Sequence, residues 1–187
     1  MCSTSKPDIT RCPFSLSSLF EIDLTTLQAD TLVAWDAYLG SASYSPDGKQ
    51  LLVTGSPSAF GGIGKNCGEH PIANDFDTQA FIMDLATKKV QAITRDFNPT
   101  VSPVQWNRVD GCIYFDTTDG DCRHIYRYVP KTGGFEMLPL EEDVITSFTL
   151  ANDNPVVAAY VGGGNTSTGV AIRTTRRKKF LPCLPTP

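Results

Sequence analysis

Ala80-Phe81-Ile82-Met83-Asp84-Leu85-Ala86-Thr87 decides how this sequence folds, because two other stretches line up with it without gaps. They are Leu19-Phe20-Glu21-Ile22-Asp23-Leu24-Thr25-Thr26 and His124-Ile125-Tyr126-Arg127-Tyr128-Val129-Pro130-Lys131. Each opens with alternating apolar and polar residues, the period-two pattern of a half-buried strand. Polar turn residues follow, and then a second short apolar run ending near Leu32, Ile93 or Leu138. The repeated unit is an antiparallel hairpin.

A second element recurs between the hairpins. Tyr44-Ser45-Pro46-Asp47-Gly48-Lys49 leads into Gln50-Leu51-Leu52-Val53-Thr54. Its counterparts are Trp106 to Gly111, leading into Cys112-Ile113-Tyr114-Phe115, and Phe148 to Asn154, leading into Val156-Val157-Ala158-Ala159. An aromatic comes early, then a turn, then an apolar strand. Asp-Gly suits the turn because glycine takes positive φ without a steric penalty. Phe81 and Ile125 are 44 positions apart, and Trp106 and Phe148 are 42 apart. A four-stranded propeller blade has a period of roughly 40–45 residues. Phe20 and Phe81 are 61 positions apart, and the excess falls in the Gly-, Pro- and Asn-rich stretch 56–78.

The expected fold is therefore all-β, an incomplete β-propeller of about three four-stranded antiparallel blades. Residues 18–172 form the partial propeller, with 56–78 as an insertion in one blade. Residues 1–17 are expected to be irregular, and 173–187 a basic, Pro-rich, disordered tail. Tyr44, Trp106 and Phe148 are expected in the core between blades. Asp47-Gly48 should be a tight exposed turn.

The Ser-Pro-Asp-Gly stretch at 45–48, with the hairpin continuing through Met83-Asp84-Leu85-Ala86-Thr87-Lys88-Lys89-Val90, resembles the propeller repeats of the prolyl oligopeptidase and dipeptidyl peptidase IV family of serine peptidases. Similar repeats occur in the periplasmic protein TolB. The resemblance covers roughly Phe20 to Ile172, although only the first repeat has the full motif. It implies a non-catalytic domain that gates and docks substrate for an α/β-hydrolase domain, with peptide substrate or a protein as partner. A TolB-like protein-interaction module is the alternative. In that peptidase family the nucleophilic serine stands in a G-x-S-x-G elbow. This sequence has none, so no catalytic residue carries over and the chain is not expected to be an enzyme on its own. The glutamate pair that dipeptidyl peptidases use has one possible counterpart, Glu141-Glu142, which reads as a solvated surface pair because it lacks the family's aromatic setting.

Composition narrows the remaining choices. A net charge of −4 gives no general basic footprint for nucleic acid. No apolar run approaches the roughly 18 residues of a membrane span, and Met1 to Phe20 does not read as a signal peptide. A cytosolic location is expected for the sequence as it stands, a periplasmic or secreted one if residues precede it. Cys2, Cys12, Cys67, Cys112, Cys122 and Cys183 form no C-x-x-C pair, against a zinc ribbon or thioredoxin-like site. Free buried thiols are expected, with Cys112 and Cys122 as potential cross-strand neighbours. No cofactor is implied.

Long loops concentrate function. The insertion gathers Glu69, His70 and Asp75, the candidate contacts for a substrate or partner; with Asp77 they are also conceivable metal ligands, though without ligand spacing. Phe60-Gly61-Gly62-Ile63-Gly64-Lys65 resembles a phosphate loop superficially. It lacks the Ser/Thr after Gly-Lys and a following helix, so a flexible hairpin loop is expected. Asp116 to Asp121 is expected to be a hairpin turn, not a calcium loop. The repeat is interrupted in mid-blade at both ends, which leads to the expectation of a truncated ring able to self-associate through open blade edges.

Overall fold

The computed structural model describes residues 1–67, 77–140 and 142–151. For 103–104 and for the strands at 157–163 and 169–174 it describes the backbone alone. The chain divides into two compact units, Met1–Asn98 and Pro99–Pro187.

The first unit holds two sheets. Strands β1 (Cys2–Pro7), β2 (Ser15–Ile22) and β3 (Ala29–Asp36) form one in that order. Strands β4 (Leu39–Tyr44), β5 (Gln50–Gly55), β6 (Gln79–Asp84) and β7 (Val90–Ala92) form a four-stranded antiparallel meander. In the second unit β8 (Thr100–Trp106), β9 (Ile113–Asp119), β10 (Cys122–Val129) and β11 (Gly134–Met137) repeat that meander. Beyond it lie β12 (Val144–Leu150), β13 (Val157–Gly163) and β14 (Gly169–Thr174), again antiparallel. A single parallel pair, Arg123 with Val144, joins these strands to β10 and makes one seven-stranded sheet.

The repeat seen in the sequence is a repeat of turn chemistry. After β6, Asp84 Oδ1 accepts the Thr87 N–H and the Thr87 hydroxyl, each at 2.8 Å. The Lys88 N–H then reaches Asp84 O at 2.8 Å with Lys88 at φ +56°. After β2, Asp23 Oδ1 accepts from Thr25 N–H at 2.7 Å and Thr26 N–H at 3.1 Å. There Leu27 takes φ +57° and donates to Asp23 O at 2.8 Å. In the third hairpin Tyr128 stands at the aspartate's place, and the turn is shifted one residue on: the Gly133 N–H reaches Val129 O at 2.9 Å, with Gly133 at φ +71°. A left-handed backbone is costly for any residue with a Cβ. The two aspartates hold it in the first two repeats, and glycine removes the cost in the third.

The other turns are matched in the same way. Ser45 Oγ accepts the Gln50 N–H at 2.9 Å and donates to Asp47 Oδ1 at 2.7 Å, with exposed Gly48 at φ +70°. In the second unit Asn107 Oδ1 takes the Val109 N–H at 2.8 Å, and Gly111 stands at φ +69°. The Asp47-Gly48 turn is as the sequence indicates.

Phe81, Leu51 and Val53 from the meander are buried with Leu19 and Leu32 from the β1–β3 sheet. In the second unit Ile113, Phe115, Ile125 and Ile145 are buried.

Four expectations are corrected. Residues 1–17 are irregular only at Met1 and 8–14: Cys2–Pro7 pairs in register with Ser15–Phe20. All six β1 residues are exposed, so no apolar alternation marks the strand, and its backbone pairing alone defines it. Of the aromatics expected between blades, Tyr44 is 37% exposed and reaches Glu21 Oε1 through its hydroxyl at 2.7 Å. Phe148 is half-buried and packs, as expected, against the buried Ile125 and Ile145, whereas half-buried Trp106 serves the turn, its indole N–H donating to Gly111 O at 3.1 Å. Truncating Trp106 should therefore cost less than the roughly 3–5 kcal/mol of a fully buried tryptophan. Asp116–Asp119 belong to β9, leaving Gly120-Asp121 as the turn. Arg173 and Thr174 belong to β14, and the rest of the expected tail lies outside the described residues.

The turn aspartates make stability depend on acidity. Backbone N–H donors, from Thr87 for Asp84 and from Thr25 and Thr26 for Asp23, hold both carboxyls below the ordinary 3.8. Their contribution is complete above that value and is lost as pH falls through the lower folded pKa. In circular-dichroism melts Asp23→Ala with Asp84→Ala should lower Tm at neutral pH. The variant's Tm should then fall less than the parent's as the pH drops below about 4.

Candidate functional site

Leu39 pairs with Gly55, and Gly55 with Gln79. The turn from β3 to β4 and the insertion 56–78 therefore leave the same end of the meander. Asp36 ties them together. Its Oδ1 accepts the Tyr38 N–H at 2.8 Å, and its Oδ2 accepts the Phe60 N–H at 2.7 Å. The Ser56 N–H adds a 3.0 Å bond to Tyr38 O. One carboxylate thus sets the position of a loop 24 residues further along the chain.

The loop so held is wound against its preference. Phe60, Gly61 and Gly62 have φ of +53°, +74° and +86° in succession. An aromatic residue rarely takes this conformation, and such strain persists only where the surroundings over-determine it. They do so here. The Phe60 ring meets Phe81 edge-on at 5.2 Å, and Ala59 is fully buried in the same core. Gly64 is buried, and a Cβ there would run into Gln79 Oε1 and lie 3.0 Å from Pro57 O and 3.1 Å from Phe81 Cζ. Ser56 Oγ accepts the Ser58 N–H at 3.2 Å. Residues 56–65 are thus pinned to the core and are not the flexible loop expected from their glycines.

Trp35, beside Asp36, is the second strained aromatic, at φ +50°. Its N–H donates to Ser18 Oγ at 2.9 Å, its side chain is 46% exposed, and Lys6 Nζ lies 4.3 Å from its ring centre. Glu69, His70 and Asp75 lie outside the described residues. Asp77 is half-buried at the far side of the insertion. Among the described residues no group of three or more His, Cys, Asp or Glu is placed to hold a metal ion. Of the residues that organise this face, Asp36 and Trp35 carry no motif in the sequence, and Phe60 and Gly64 stand out there only in a Gly-rich stretch.

The second unit contributes a buried carboxylate paired with a half-exposed guanidinium, and two thiols whose pKa is raised. Asp116 is 4% exposed at its side chain and is bound by Arg123 Nη2. Burial pushes the Asp116 carboxyl up, and the Arg123 guanidinium opposes it. Cys112 is buried, which raises its pKa. Cys122 is raised first by desolvation and then by the carboxylates of Asp121, Asp143 and Asp119. A thiol so placed is a weak nucleophile. The two are not cross-strand neighbours, because Cys122 pairs with Asp119 at one end of the hairpin while Cys112 precedes Ile113 at the other. Glu142 is half-buried with Oε2 enclosed and unpartnered among the described residues, and Glu141 lies outside them.

No protein-family model matches the chain, and no curated protein matches it in sequence. Solved structures do. TolB from Acinetobacter baumannii is 23% identical with a TM-score of 0.61, over 91% of this chain and 38% of that one. The β-propeller domain of the Trilobed protease from Pyrococcus furiosus is 15% identical with a TM-score of 0.67, over 98% of this chain and 50% of that one. An acylaminoacyl peptidase in complex with Z-Gly-Gly-Phe-chloromethyl ketone is 13% identical with a TM-score of 0.51, over 86% and 27%.

The chain has the fold of an incomplete β-propeller.

It spans half or less of each of these proteins. Among the described residues β4–β7 and β8–β11 each form a four-stranded meander of the blade kind, and the insertion belongs to the first. Gly64→Ala should release it. The clash with Gln79 Oε1, Pro57 O and Phe81 costs about 1–3 kcal/mol, and limited proteolysis should then cut within 56–67 faster than in the parent. Equal cleavage rates would show that the loop is held by other contacts.

Proposed function

We propose that the chain is a non-catalytic docking propeller that presents peptide to a separate hydrolase domain of the prolyl oligopeptidase type. The observation that carries this reading is the strained, core-anchored loop held on Asp36. Backbone strain of this kind gathers at ligand clamps, and the loop shares its end of the blade with exposed Trp35. Tryptophan is favoured at the centres of binding surfaces because it offers a large rigid contact area. Glu69, His70 and Asp75, on the same insertion, supply the polar contacts for peptide or partner.

A TolB-like role in protein interaction is the second reading, favoured by the 23% identity to TolB over 91% of the chain. The two differ in ligand. The gating reading calls for unstructured peptides and the interaction reading for a folded surface.

Immobilised chain should retain short unstructured peptides, and deletion of 57–77 or Gly64→Ala should reduce retention. Purified chain should not hydrolyse aminoacyl or dipeptidyl reporters. Turnover that scales with protein and is blocked by serine-directed inhibitors would overturn the non-catalytic role. Absence of retention would overturn peptide docking.

A further inference from the structure

Lys65 is the one charged residue in the anchored stretch 56–65 of the insertion. Its side chain is laid across Gly62. A Cβ on that glycine would stand 3.3 Å from Lys65 Cδ, 3.5 Å from Cε and 3.9 Å from Cγ. The Lys65 N–H donates to Gly62 O at 3.1 Å and closes the turn that brings the two residues together. Gly62, at φ +86°, thus serves twice. It takes a backbone conformation that a Cβ disfavours, and it leaves a bare face for the lysine stem. A lysine ordinarily loses much rotamer freedom when it pairs with an anion. Here three carbons of the stem are already seated, so less of that freedom remains to be lost when a ligand arrives.

The ammonium group beyond that stem has no counter-charge among the described residues, since no described carboxylate lies within ion-pair distance of it. Asp36, the carboxylate that fixes this loop, has both oxygens engaged by the Tyr38 and Phe60 N–H groups. Lys65 is exposed, and Ile63 in the same turn is 38% exposed. The loop therefore presents a seated cation beside an apolar side chain. The chain carries a net charge of −4, so an anion is drawn here by Lys65 itself and not by the charge of the whole molecule.

We propose that Lys65 recognises a carboxylate on the docked peptide, next to an apolar residue that rests on Ile63. This rests on the reading of the insertion as a peptide-docking loop and specifies which peptides the loop prefers. The carboxylate is either the peptide's own C-terminus or an acidic side chain, and both offer the ammonium group the same charge-assisted hydrogen bond.

Three peptides separate these cases: dansyl-Gly-Ser-Ala-Leu as the free acid, the same peptide as its C-terminal amide, and dansyl-Gly-Ser-Glu-Leu as the amide. Each is titrated with the full chain and followed by fluorescence anisotropy. At low ionic strength at least one of the two anionic peptides should bind about threefold more tightly than the neutral one, the size of an exposed ion pair. The gain should vanish at about 1 M salt. A gain with the free acid alone assigns the carboxylate to the chain end, and a gain with the Glu peptide assigns it to a side chain. Lys65→Met keeps an unbranched stem for Gly62 and should bring the three peptides to one Kd. Lys65→Glu should reverse the order, so that the neutral peptide binds most tightly. Equal binding of all three by the parent chain, or a preference that survives in Lys65→Met, overturns the inference and leaves peptide docking in place. Failure of all three to bind overturns the docking reading and this inference together.

Discussion

The ring of Phe81 has no exposed surface, and three separate stretches of the first unit close upon it. Leu19 and Leu32 come from the β1–β3 sheet, Leu51 and Val53 from the strand beside it, and Ala59, Phe60 and Gly64 from the insertion. The packing of one sheet on the next and the placement of the loop are thus one event. Dense interiors transmit small changes in volume. A side chain of other size at 81 would move the loop as well as the core.

The left-handed backbone that the sequence hides is stabilised in the same manner. Leu27, Lys88, Trp35 and Phe60 all carry positive φ without being glycine. Each is fixed by a polar neighbour that captures main-chain N–H groups: Asp23, Asp84, Ser18 and Asp36. Short polar side chains are suited to this because they reach the backbone without losing much rotamer freedom. The molecule uses one device for its routine turns and for its most unusual loop.

That device explains what could and could not be read in advance. The hairpins at Phe20, Phe81 and Ile125 were legible because one strand in each has an apolar face, and burial of that face leaves a period in the sequence. The Asp47-Gly48 turn was legible from its glycine. β1 was not, since a strand exposed along its whole length carries no period and is defined by hydrogen bonds that any residue but proline can make. Trp106 misled through size, because a large aromatic also serves a turn by donating from its indole nitrogen. Asp36 gave no signal at all. An aspartate that reaches a backbone N–H 24 positions away looks, in sequence, like any other surface carboxylate. The three residues singled out in the insertion, Glu69, His70 and Asp75, rest on composition, and the anchored part of that insertion is its apolar beginning.

The pairing of Asp116 with Arg123 bears on how such a chain can change over generations. Asp116 is almost wholly enclosed, so losing Arg123 first would strand a charge in the interior, and losing Asp116 first would leave the guanidinium without its partner. Losing Arg123 first is the harmful step, because Asp116 is the enclosed partner while the guanidinium is 37% exposed; a joint exchange for apolar residues of similar bulk is tolerable. Relatives of this chain that keep Asp116 should therefore keep Arg123. The pair records descent more faithfully than the exposed turns, where one substitution at a time is cheap.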